Sequence, residues 1–142
     1  MSSENNGPNV TFQAGEAVTQ HALVMLEAGS AETPPEVIET AGTQNADITV
    51  LGTVVGGEDG PGDVADGKPV TVRMLNCVAT CKMIAAKAIT VGEAVFSADD
   101  GKVTDATTSE SFVGFALEAA SDDGDIIEVA VQPQTYDAVD AT

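Results

Sequence analysis

AVFSADDGKVTDA, residues 94–106, sets a Gly-Lys pair beside two aspartates, and its reading decides the fold. A phosphate-binding loop needs G-x-x-x-x-G-K-[ST] between a buried strand and a helix, so that successive backbone N–H groups surround the phosphate. Here Phe96 stands at the first glycine position, Val103 follows the lysine, and Asp99 and Asp100 would repel an anion. The flanks AVFS and VTDA read as strands. Asp99-Asp100-Gly101-Lys102 is therefore expected to be a hairpin turn, with Gly101 supplying the positive φ that such turns require. The segment turns a corner between two strands.

The same grammar extends outward. FVGFALEAA (112–120) reads as a strand, SDDGD (121–125) as a turn, and IIEVAVQP (126–133) as an alternating strand closed by Pro133. Upstream, KPVTVRML (68–75) alternates Val70, Val72 and Met74 with Thr71, Arg73 and Leu75, the period-two pattern of a half-buried strand. ADITVLGTVVGG (46–57) reads as strand, bend and strand around Gly52, and EDGPGDVADG (58–67) as an exposed loop. HALVMLEAGS (21–30) is an apolar run whose brevity favours a strand, and Pro34 and Pro35 break any helix before EVIETA (36–41). NCVATCKMIAAKAITV (76–91) permits a helical turn or two as well as two short strands. Short strands at roughly ten-residue spacing, punctuated by Gly and Asp, predict a mainly β protein: a small antiparallel β-barrel, β-tulip-like or sandwich-like, with at most one short helix. Residues 1–20 are read as an extended N-terminal arm, 21–133 as the β-barrel domain and 134–142 as an acidic C-terminal tail.

Composition bounds the core and the partners. With 43% hydrophobic but only 4% aromatic residues and no Trp, the core must be built from Val, Ile, Leu and Ala. A thin core of this kind makes oligomerisation a natural source of stability. The formal charge is −18, which argues against nucleic acid, whose binders carry a basic footprint. All five cations, Lys68, Arg73, Lys82, Lys87 and Lys102, fall within residues 68–102 and are expected to meet acidic flanks or a partner. An acid-rich surface also fits plain solubility or adaptation to high salt. No apolar run is long enough for a membrane span, and the polar start carries no signal-peptide pattern, so synthesis in the cytoplasm is expected.

Catalytic chemistry finds no foothold in the residues. The single histidine, His21, cannot build a triad or a zinc cluster within one chain, and DGPGD and DDGD do not match a calcium loop. No enzyme activity, metal or cofactor is expected. Lys82 in CKMIAAK lacks the Ala-Met flank of biotin and lipoyl carrier hairpins. Cys77 and Cys81, with three residues between them, lie too far from one another in an extended chain for a disulfide, which needs Cα atoms within about 7 Å. They read either as free thiols or as a cross-link between protomers.

ITVLGTVVGG, GKPVTVRM, AITVGEAVFSADDGKVTDA, SFVGFALEAA and DIIEVAVQP together resemble the capsid-decoration, or head-stabilising cement, proteins of tailed bacteriophages over residues 48–133. The resemblance rests on Gly67, Val70, Thr71 and Val72; on Ile89, Gly92, Val95, Phe96, Asp99, Gly101, Lys102, Val103 and Thr104; and on Val113, Gly114, Ala116, Leu117, Ala119 and Ala120. These are structural glycines and barrel positions. The longer N-terminal region, NCVATC and the acidity depart from the pattern. The resemblance implies a structural virion protein that binds the major capsid protein on the outer surface of the expanded head, as a homotrimer at threefold positions. It implies no nucleic-acid or membrane partner. Within it, Val10, Thr11, Phe12 and Gln13 are expected to contact the capsid by β-augmentation, with Phe12 as anchor. A fibre-attachment or spike-base module of a virion is the alternative.

Overall fold

The computed structural model describes residues 8–27, 34–40, 50–105 and 111–132, apart from the side chain of Cys77. The first seven residues of the expected arm and the acidic tail lie outside the described residues. Strands β1 (Asn9–Ala14), β2 (Leu23–Leu26), β3 (Glu36–Glu39), β4 (Gly52–Gly57), β5 (Gly60–Pro61) and β6 (Pro69–Met74) form one sheet in the order β2-β3-β1-β6-β4-β5. Because β2 also pairs with β4, five of these strands close into a barrel. A 3-10 turn, Leu75–Cys77, leads into β7 (Thr80–Ile84), β8 (Ala94–Ser97), β9 (Val103–Thr104), β10 (Phe112–Ala116) and β11 (Ile126–Val131), with a second 3-10 turn, Asp99–Gly101, between β8 and β9. These form a second sheet in the order β7-β11-β10-β8-β9, whose two ends meet at one parallel bridge between Ala85 and Val103.

The mainly β, small-barrel expectation holds, and among the described residues helix is confined to two 3-10 turns. Two features differ from the sequence reading. There are two barrels, one on each side of residues 75–77, rather than one over 21–133. Residues 9–20 also do not stand apart as an arm. β1 pairs with β6 from Asn9↔Arg73 to Gln13↔Pro69 and with β3 through Gln13↔Glu36 and Ala14↔Val37, and Val18 bridges Val64. The physical reason is the period-two set Val10, Phe12 and Ala14, which faces the first core and is worth more buried there than in water. The loop 58–67 is likewise only partly free, because Gly60 and Pro61 pair with Gly57 and Gly56 and Val64 is buried.

The two barrels repeat one another strand for strand. The register Asn9↔Arg73 to Gln13↔Pro69 recurs as Thr80↔Ala130 to Ile84↔Ile126. Gly52↔Met74, Thr53↔Arg73 and Val54↔Val72 recur as Gly114↔Val131, Phe115↔Ala130 and Ala116↔Val129. Leu23↔Thr53 recurs as Ala94↔Phe115, Leu26↔Val37 as Ser97↔Val103, and Ala14↔Val37 as Ala85↔Val103. Turns repeat too: His21 and Gly92 both adopt positive φ (71° and 90°), and their N–H groups donate to Val54 and Ala116 carbonyls, each at 2.8 Å. At Gly52 and Gly114 the reason for glycine is shared, since a Cβ would fall 2.1 Å from the carbonyl oxygen of the partner strand, Arg73 or Ala130.

The cores match residue by residue. The first contains Ala14, Val18, Val24, Val37, Val54, Val64, Val70 and Val72, and the second holds their counterparts Ala85, Ile89, Val95, Val103, Ala116, Ala120, Ile127 and Val129. Two losses of volume, Val54 to Ala116 and Val64 to Ala120, are offset in part by two smaller gains, Val18 to Ile89 and Val70 to Ile127. That is how a close-packed interior tolerates substitution. Leu23 of β2, Val50 just before β4 and Leu75 of the intervening 3-10 turn pack into the second core. The junction is thus part of the interior.

Candidate functional site

The residues singled out from the sequence lie in different places. On β1, Val10 and Phe12 face the first core and are half-buried, while Thr11 is exposed and Gln13 is half-buried, its N–H donating to the Pro35 carbonyl at 3.1 Å. Asp99, Asp100 and Gly101 form the turn between β8 and β9, with φ of 60° at Asp100 and 70° at Gly101. The turn is closed by the Lys102 N–H donating to the Asp99 carbonyl at 3.2 Å, and it docks on the first barrel where the Gly101 N–H donates to the Thr40 carbonyl at 3.1 Å. Cys81 is a buried free thiol whose Sγ lies 2.9 Å from Thr53 Oγ1 across the junction. A cross-link through Cys81 would require that junction to open. Cys77 ends the 3-10 turn, and its side chain lies outside the described part.

Four of the five cations divide into two pairs. Lys87 pairs with Asp105 at 3.1 Å and Lys102 with Asp123 at 2.7 Å, so two of them do meet acidic residues nearer the C-terminus. The Lys87 ammonium holds the Asp105 carboxyl below the usual carboxylate range. Arg73 and Lys82 instead line a groove of about 290 Å³ between the barrels, together with His21, Thr53, Cys81 and Glu128. Lys82 faces Glu128 across the β7–β11 ladder. Burial, and then the nearby Lys82 charge, hold the His21 imidazole below its ordinary pKa. On a chain this acidic, the groove is a local concentration of positive charge.

The second feature is aromatic. Phe96, Phe112 and Phe115 form a cluster on the outer face of β8 and β10, with edge-to-face ring contacts at centroid distances of 5.6 Å and 5.4 Å. Phe115 is 41% exposed and Leu117 beside it 46%. The chain has four phenylalanines, so three of them sit outside a core that contains no aromatic residue among its buried members. Exposed clusters of this kind mark contact surfaces. The sequence reading placed Phe96 in the barrel pattern but missed the cluster, because Phe112 and Phe115 are neighbours of Phe96 only through β8–β10 pairing. Among the described residues no group of three or more metal-ligating side chains converges.

A family model described as phage cement protein matches residues 3–132. Among solved structures the chain is similar to "The crystal structure of head fiber gp8.5 N base in bacteriophage phi29", at 20% identity and a TM-score of 0.64, over 91% of this chain and 97% of that one. That likeness establishes a common fold. Comparison with curated proteins gives no match. The chain belongs to the phage cement protein family, and its role is that of a structural component of the virion that stabilises the capsid.

Proposed function

We propose that this cement-family chain binds the outer surface of the expanded phage head as homotrimers at threefold positions, and holds neighbouring major capsid subunits together against the pressure of packaged DNA. The observation that carries the reading is the family match over residues 3–132. The mechanism is linkage: a protein that binds the expanded lattice and not its precursor stabilises the expanded lattice by mass action, by RT ln(1 + [L]/Kd) per site. No reacting group is needed, and the protein works as a structural component rather than an enzyme. Of the four β1 residues expected to contact the capsid, Val10, Thr11, Phe12 and Gln13, it is Thr11 and Gln13 that lie on the side away from the core and are assigned to the capsid.

The test is co-sedimentation of the purified protein with proheads and with expanded heads of the source phage. Saturable binding to expanded heads only, in multiples of three, is the expected result; no binding to either sinks the proposal. A second reading, a fibre-attachment or spike-base module, is favoured by the fold shared with a head-fibre base. Copy number separates the two, because a cement protein covers the shell and a vertex appendage does not.

A further inference from the structure

The repeat turns the junction inside the chain into a template for a junction between chains. Within the molecule, the outer face of β2 and β4 covers one end of the second barrel. Leu23, Val50 and Leu75 enter that core, and Thr53, 2% exposed, meets Cys81. The end so covered is fully buried: Cys81, Met83, Val113 and Val131 are each at most 9% exposed.

Carrying the strand registers across the repeat shows two surfaces left over. The counterparts of Leu23, Val50 and Thr53 are Ala94, Phe112 and Phe115, so the aromatic cluster occupies the position that in the first barrel is the covering face. The counterparts of Cys81, Met83, Val113 and Val131 are Val10, Phe12, Leu51 and Met74, all only half-buried, although Phe12, Leu51 and Met74 pack against the first core. Among the described residues, one barrel is left with an exposed face and the other with a half-buried end, and inside the chain the equivalent pair fit together.

We infer that the outer face of β8 and β10 in one chain, centred on Phe115, covers the Val10–Phe12 end of the first barrel in a second copy of this chain. The occupant is a second copy because the complementary surface is on the molecule itself and its mode of docking is already built once within it. The contact joins two different surfaces, so it propagates head to tail and closes into a ring when the rotation permits. It rests on the trimer in the reading above and supplies the surfaces that would form it. Phe112 and Phe115 stand where the internal junction has Val50 and Thr53, and aromatic anchors of this type suit an interface assembled from separate chains.

Two measurements on the full-length chain test this. In sedimentation velocity the unaltered protein is expected to associate, and F115D to sediment as a monomer that keeps the native circular dichroism spectrum, since Phe115 is outside the core. The second test does not depend on a loss of binding, so misfolding of a variant cannot mimic its result. Chains carrying V10C and differently tagged chains carrying F115C, both with C77S, are mixed and mildly oxidised, free and on expanded heads. A cross-link between the two tags, absent from either variant alone, is expected, because the equivalent Thr53 and Cys81 side chains touch. Association that persists in F115D without the cross-link overturns the assigned surfaces. A chain that is monomeric both free and on heads overturns the inference while leaving capsid binding standing, and failure to bind heads with the cross-link present would instead remove the capsid reading alone.

Discussion

His21 is a backbone problem and an electrostatic one at the same position. Its φ of 71° is the left-handed conformation that costs an L-residue about 1–2 kcal/mol, and the repeat places Gly92 at the counterpart. H21N keeps a residue tolerant of that region while removing the imidazole. Because the folded pKa is depressed, by burial and then by Lys82, the neutral ring favours the native state: its contribution is complete above the unfolded value of about 6.5 and is lost as pH falls through the folded value. Thermal melts from pH 8 to pH 5 should show the stability of the natural protein relative to H21N declining with acidification. A constant difference would remove the pKa argument. Position 101 gives a sharper contrast. Gly101 and Gly124 both have positive φ, but a Cβ at Gly101 would lie 2.7 Å from the Ala22 Cβ, whereas nothing lies within 4 Å at Gly124. G124A should cost about 1–2 kcal/mol and G101A more, by roughly a further 1–3 kcal/mol of overpacking, as read from denaturant midpoints.

At the level of elements, the strands were largely legible because period-two burial writes itself into sequence. Val70 and Val72 in β6, and Val129 and Val131 in β11, alternate with polar or small neighbours and are buried as the alternation demands. β1 was misplaced because VTFQA is short, follows a polar run, and needs β6, far along the chain, to complete its ladder. The segment 76–91, ambiguous between helix and strand, became β7 because β11 supplies its hydrogen bonds from Ile84↔Ile126 to Thr80↔Ala130. Gly52 and Gly114 make a paired prediction at this scale. G52A and G114A each force a side chain into a partner-strand carbonyl, β4 against β6 in one case and β10 against β11 in the other, so both should abolish native circular dichroism or solubility at 37 °C. Tolerance of either would break the claimed equivalence.

The whole molecule is an acidic pair of barrels sharing an interior. Leu23 lies in the first barrel yet packs in the second core, so L23A should cost roughly 2–5 kcal/mol and shift a single calorimetric transition rather than split it in two. With a formal charge of −18, self-repulsion opposes the compact state, and raising salt shortens the Debye length from about 30 Å at 0.01 M to about 10 Å at 0.1 M. The melting temperature should therefore climb with salt over that range, by a few degrees for roughly 1 kcal/mol. The sequence by itself determined the class of fold, the hairpin at 99–102, the lack of a recognisable catalytic constellation and the resemblance to capsid decoration proteins, because alternation, turn chemistry and motif spacing are local properties. Only the tertiary structure decided that there are two barrels, that residues 9–20 belong to the first, that Cys81 is sealed into the junction and that three phenylalanines meet on one outer face. Those facts depend on which distant strands share hydrogen bonds, and two halves related by register rather than by residue identity leave little trace of their kinship in a single chain.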